Sequence, residues 1–190
     1  MDVATFIARV RGMLMQPQET LAADASPAPP WQIAAREHAV PLIAASAVVA
    51  ALLSLVFPGS AAMAAPGLIG LVFDTVLQIV LNVGFLAMTA GFACLFAGMF
   101  GGTTRFDAGF AVVTLAMTPA YVGEAVLPIP VVGALAALGG LIYGLVVLYQ
   151  GMAALMGVPP EHRGKHFLLT VVSSFLTGLF LIALLGPLIG

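Results

Sequence analysis

Charge is what this chain has least of. Its 190 residues carry six Lys or Arg and eight Asp or Glu, 7% of the whole, where a soluble domain is roughly a quarter charged. A single soluble core could not hide the 62% of residues that are hydrophobic, least of all when they come in long runs. The net charge of −2 offers no electrostatic footing for nucleic acid. A single cysteine, Cys94, excludes an internal disulfide, and its apolar setting reads as packing. Also missing are a phosphate-binding glycine loop, an HExxH pair and a nucleophile elbow. The chain therefore reads as non-enzymatic, with no catalytic residues, no cofactor and no metal site expected.

What is present is apolar length. Roughly 20 apolar residues cross a bilayer core of about 30 Å, and runs at 40–57, 68–100, 108–127, 131–156 and 167–189 meet that requirement. Pro58-Gly59-Ser60, Gly101-Gly102, Pro128-Ile129-Pro130 and Val158-Pro159-Pro160 separate them. The reading is an all-α polytopic membrane protein with five transmembrane helices. The second run would reach about 50 Å as one helix, so its first turns, with Asp74 and Gln78, lie at or beyond the interface, or the helix tilts strongly. Ala62-Met63-Ala64 imitates a signal-cleavage site, but the polar region before it is too long, and the first run reads as a retained span.

The basic residues orient the chain. With the N-terminus cytoplasmic and the C-terminus outside, Arg9, Arg11, Arg36, Arg105, Arg163 and Lys165 all fall on the cytoplasmic side. These are all the Lys and Arg residues, as the positive-inside rule requires. Residues 1–38 form a cytoplasmic or interfacial segment ahead of a membrane domain at 39–190. In it, Val3, Phe6, Ile7, Val10, Met13 and Leu14 share one face of an amphipathic helix, with Arg9 and Arg11 off that face. This helix lies in the headgroup plane or packs on the protein's own spans. Pro17 and residues 24–30 read as an extended linker, and Trp31 opens a second short helix at the interface.

Two residue classes stand out inside the spans. Gly84, Gly91 and Gly98 recur every seven residues on the second, and Gly133, Gly140, Gly144 and Gly151 share a face of the fourth. Small residues let helix backbones approach in lipid, so both stripes read as packing seams, with contact inside the chain favoured over a dimer face. The polar class comprises Asp74, Gln78, Asn82 and Thr89, within about 80° on the second helix, and Thr114, Thr118, Tyr121 and Glu124 on the third. Pro119 removes a backbone hydrogen bond beside them. Polar groups at depth face protein or a cavity, so these eight residues either line an outward-facing cavity with Asp74 and Glu124 at its mouth, or serve as interfacial acids and interhelical bonds. His162 and His166 have metal-ligand spacing, but Gly164 opposes a helix there and Arg163 and Lys165 repel a cation. That stretch reads as a solvated basic loop near anionic headgroups.

Three stretches carry a family resemblance. They are Arg9 to Thr20 (Arg-Val-Arg-Gly-Met-Leu-Met-Gln-Pro-Gln-Glu-Thr), Phe100-Gly101-Gly102 with Arg105-Phe106 and the span broken at Pro119, and Leu141 to Gly151 around Tyr143 and Tyr149. Together they resemble the Yip-domain family of Ypt/Rab-interacting membrane proteins, in which the turn at Gly101, Gly102 and Arg105 and the proline-interrupted third helix are signatures. The resemblance implies five spans and a cytoplasmic N-terminus. Eukaryotic relatives act in vesicle traffic between endoplasmic reticulum and Golgi with Rab GTPases. This sequence lacks their long N-terminal region and Asp-Leu-Tyr-Gly-Pro motif, which argues against Rab-type GTPase binding and implies a bacterial inner-membrane member. The expected partners are the lipid bilayer and a second copy or another membrane protein. The expected role is a scaffold that organises lipid or partners; the alternative is a small-solute or ion transporter or channel using the polar stripe.

Overall fold

The computed structural model describes residues 2–25, 27–57 and 67–189, without the side chains of Ala25, residues 67–69, Leu71, Asp74, Ile182 and residues 185–189. The elements among these residues are all helical. Five helices are long and apolar enough to cross a membrane: Trp31–Val56, Thr75–Met99, Phe106–Ala125, Val132–Leu155 and Pro160–Leu181. The loop at 58–66, with Pro58-Gly59-Ser60 and Ala62-Met63-Ala64, lies outside the described residues.

The N-terminal segment is a helical hairpin. Helix α1 (Val3–Met15) starts where the Asp2 side chain accepts from the Ala4 N–H, 2.9 Å, a cap that satisfies one orphan donor. Pro17 does not extend the chain as expected. It sits at the first position of α2 (Pro17–Ala25), where its fixed φ suits a helix start and its missing N–H costs nothing. Gly12 lets the two helices close, since a Cβ there would collide with Thr20 Oγ1. The Arg9 guanidinium meets the Asp24 carboxylate at 2.9 Å across the hairpin.

Helix α1 divides its apolar residues between two directions. Met13 is fully buried, and Phe6 and Val10 pack on the same core. Val3, Ile7, Leu14 and Met15 point outward, Val3 72% and Ile7 58% exposed. The C-terminal end of the helix reaches the fourth membrane-length helix. The Tyr143 hydroxyl donates to the Leu14 carbonyl at 3.2 Å, and Tyr143 lies about 18 Å along its helix from the Leu155 end.

Trp31 does not open a separate short helix. The chain runs helically from α3 (Trp31–Ala34) through a π-helical turn at Ala35–Ala39 into α4 (Val40–Val56). Helix α5 (Gly67–Met99) follows and ends on glycine. Gly101 adopts φ +76°, and the Gly102 N–H donates back to the Ala97 carbonyl at 2.7 Å, the left-handed closure that glycine allows without a Cβ clash. Gly102 then packs on the Met156 carbonyl, to which the Thr103 N–H donates next door, 2.8 Å.

Helices α6 (Phe106–Ala116) and α7 (Thr118–Ala125) together make the third span. They join at Met117, where Pro119 has no N–H to offer the Leu115 carbonyl. This span is the centre of the protein. Of its most apolar window 67% is buried, against 17–28% in the other four. Helix α8 (Val132–Leu155) returns antiparallel to α7, and α9 (Arg163–Ile189) lies along α5.

The turn between α7 and α8 stores strain. Val131 has φ 65° and ψ −57°, and the Val132 N–H donates to the Pro130 carbonyl at 2.7 Å. That is a γ-turn of the rare, strained hand on a β-branched residue that disfavours positive φ. Val131→Gly is expected to stabilise the protein by about 1 kcal/mol. Thermal melting in detergent measures it, and an unchanged or lowered midpoint would refute the strain.

The loop expected around His162 and His166 is corrected. A 3-10 turn at Pro160–His162 leads straight into α9, so Gly164 falls in the helix's first turn, where a glycine disrupts little. His166 is 1% exposed, with Nε2 bonded to the Ala93 carbonyl at 2.8 Å, while His162 stacks on Phe100 at 5.1 Å. The two rings serve packing on separate partners.

Candidate functional site

The predicted polar stripe parts to different sides of the third span. On one side the Tyr121 hydroxyl donates to Asn82 Oδ1 at 3.3 Å, and Asn82 Nδ2 donates to its own helix at the Gln78 carbonyl, 2.9 Å. Gln78 and Glu124 are exposed, and the side chain of Asp74 lies outside the described residues. Thr89 is buried, and its hydroxyl has no partner among the described residues. Thr114 and Thr118 instead turn away from α5 toward the π-helical turn.

There they meet His38, which the sequence reading passed over because it began the first span at Val40. His38 is 2% exposed, and its Nε2 shares a 2.9 Å hydrogen bond with Thr118 Oγ1, itself fully buried. Phe6 of α1 covers the imidazole, with ring centroids 6.0 Å apart. The π turn widens the helix at Ala35–Ala39, and such turns recur at functional positions. A signal was available: an ionisable residue just ahead of an unbroken apolar run is a functional candidate by default.

Beside His38 lies a pocket of about 180 Å³ between the N-terminal hairpin, the π turn and α6. Arg9, Asp24, Glu37, His38 and Thr114 supply its polar wall, and Ile33, Leu115 and Pro27 part of its apolar one. Among the described residues His38 Nδ1 and Thr114 Oγ1 have no hydrogen-bond partner, although buried polar groups are paired as a rule. Trp31 stands nearby, its backbone N–H donating to Asp107 Oδ1 at 2.9 Å and its indole edge-on to Phe106 and Phe110. Among the described residues no group of three or more His, Cys, Asp or Glu side chains is placed to hold a metal ion.

The two glycine stripes also differ. On α8, a Cβ at Gly140 would strike the Pro119 carbonyl, one at Gly133 the carbonyls of Val126 and Leu127, and one at Gly144 would stand 3.1 Å from the Ala116 carbonyl. Gly151 meets Val112 and Leu21. Gly140, Gly144 and Gly151 let α8 lie directly on the third span, and Gly133 lets it start against the turn that follows that span. On α5, Gly84 and Gly91 have nothing within 4 Å among the described residues, and Gly98 faces Thr104. The side of α5 that approaches α6 is lined by alanine instead: Gly109 of α6 sits against Ala90 and Cys94. Arg105, of the predicted family turn, precedes α6 with its side chain exposed and its carbonyl accepting from Cys94 Sγ at 3.3 Å.

No curated protein and no solved structure matches the chain. A family model, that of the Yip1 domain, matches residues 11–185. That range takes in the second helix of the hairpin, the π turn, all five membrane-length helices and the glycine turn after α5, so the chain belongs to the Yip1-domain family of integral membrane proteins.

Proposed function

We propose that this protein is a non-enzymatic membrane organiser whose α1 inserts sideways into one leaflet as a wedge. The observation that carries the reading is the divided apolar surface of α1. Phe6, Val10 and Met13 fasten the helix to the core, while Val3, Ile7, Leu14 and Met15 face outward. A helix of this kind buries its apolar face at the headgroup and acyl boundary, and volume added to one leaflet alone favours bending. Arg9, Arg11 and Arg36 lie on the hairpin and the start of the first span; the charge rule puts that end in the cytoplasm. The compact Ala- and Gly-rich chain fits a bacterial inner membrane.

The parting of the polar stripe favours this reading over transport. Tyr121 bonds to Asn82 and Thr118 to His38, and Phe110, Val113 and Ala116 of the same span are fully buried, which supports a packed span. The test is reconstitution into vesicles at matched protein density. Val3→Glu with Ile7→Glu is expected to remove the shift toward small, highly curved vesicles that wild type produces, with helix content unchanged. Identical size distributions for the two proteins in cryo-electron micrographs would sink the proposal.

A further inference from the structure

We infer that the pocket beneath the N-terminal hairpin is a binding site for a primary ammonium group on a short aliphatic stem. Three observations converge on that chemistry. The pocket, of about 180 Å³, carries two carboxylates, Asp24 and Glu37, and one guanidinium, Arg9. Arg9 is bonded to Asp24 at 2.9 Å, and with Glu37 beside that pair the lining carries one more negative than positive group, which favours a cation. His38 Nδ1 and Thr114 Oγ1, on residues 2% and 1% exposed, have no partner among the described residues; with the Glu37 carboxylate they offer three acceptors for the three N–H bonds of an ammonium. An N–H donated to Nδ1 also settles the imidazole tautomer, since Nε2 then carries the proton and donates it to Thr118 Oγ1 across the existing 2.9 Å contact. The apolar wall of Ile33, Leu115 and Pro27 accepts the methylenes of the stem. A cation without N–H bonds would leave both orphaned atoms unsatisfied, and an anion would face Glu37.

Such an amine can come from an aminophospholipid headgroup, which the position beside the bilayer supplies, or from a free small amine. The site does not depend on α1 acting as a wedge, because Val3 and Ile7 are not among its lining residues; failure of the vesicle experiment leaves it standing.

Trp31 reports on the site, being the only tryptophan and two residues from the wall at Ile33. The experiment titrates the whole protein in neutral detergent with ethanolamine hydrochloride, then with ethylene glycol and inorganic phosphate. A saturable change in Trp31 fluorescence is expected with ethanolamine alone. Glu37→Gln and Thr114→Val, both close in shape to the native side chains, are each expected to weaken it roughly tenfold, the worth of one hydrogen bond to a charged group. Their melting midpoints establish that both variants fold. The titration is repeated in nanodiscs of phosphatidylethanolamine and of phosphatidylcholine. A signal already saturated in the ethanolamine lipid identifies the headgroup as the source; equal titration in both lipids identifies a free amine. The inference is overturned if ethanolamine gives no saturable change in detergent and the two lipids do not differ. It is equally overturned if phosphate produces the response, or if both folded variants bind as wild type does.

Discussion

Gly140→Val is expected to lower the melting midpoint by about 10 °C, corresponding to a loss of at least about 3 kcal/mol. The contact it disrupts is backbone against backbone. A Cβ at Gly140 would meet the Pro119 carbonyl oxygen, with the Pro119 carbonyl carbon at 3.0 Å and the Ala120 Cα at 3.3 Å. Overpacking among side chains costs about 1–3 kcal/mol because rotamers can yield; a helix backbone has no rotamer to change. Gly123 is held in the same way from the other side, its Cβ position blocked by the Ala136 carbonyl, so α7 and α8 cannot slide to relieve the strain. Gly84→Ala is the matched control. With nothing within 4 Å of that position, alanine is expected to be neutral or to stabilise by about 0.5–1 kcal/mol through helix propensity. Melting both variants in detergent decides the matter. If Gly140→Val proves as harmless as Gly84→Ala, the α7–α8 contact is not as described. A costly Gly84→Ala would place a second copy of the chain against α5.

The second large effect concerns His38 and Thr118. Thr118→Val keeps the side-chain shape and removes the one hydrogen-bond partner that a buried imidazole has among the described residues, since Nδ1 has none there. Leaving such a group unsatisfied costs about 1–3 kcal/mol. His38→Phe replaces the ring with an apolar one and strands the threonine hydroxyl instead. Combining the two substitutions leaves no stranded group, so the double variant is expected to recover about 1 kcal/mol or more relative to the sum of the single ones. Melting midpoints of the four proteins close this cycle. A coupling indistinguishable from zero would mean that the hydrogen bond does not hold the π turn to the third span.

Why the sequence reading missed this pair shows what apolar patterns can carry. The five spans were legible because the requirement is local: about 20 apolar residues in succession cross a bilayer wherever they pack. The amphipathic character of α1 was legible too, since a helix between core and interface shows its polar side in its periodicity. Inside the membrane that signal vanishes. Lipid and protein interior are both apolar, so hydropathy says little about which way a transmembrane helix is rotated. Gly84 and Gly91 therefore looked as good a seam as Gly133 and Gly140, although only the α8 stripe meets a backbone. Thr114 and Thr118 could be assigned to the side of Asn82 when they turn to His38.

Helical continuity followed a similar division. Pro17 read as a break, and only the hairpin closed by Gly12 against Thr20 and by Arg9 against Asp24 shows it as a helix start. His38 read as linker because apolar length begins at Val40, while the π turn continues the helix back to Trp31. By itself the sequence determined the solvent of each segment, and with it the number of spans and the end that gathers positive charge. Those follow from transfer free energies that act residue by residue. Only the tertiary structure decided which faces touch, because in a uniformly apolar surrounding the rotation of each helix is set by the shape of its neighbours: a carbonyl that fits a glycine, an imidazole that finds a threonine.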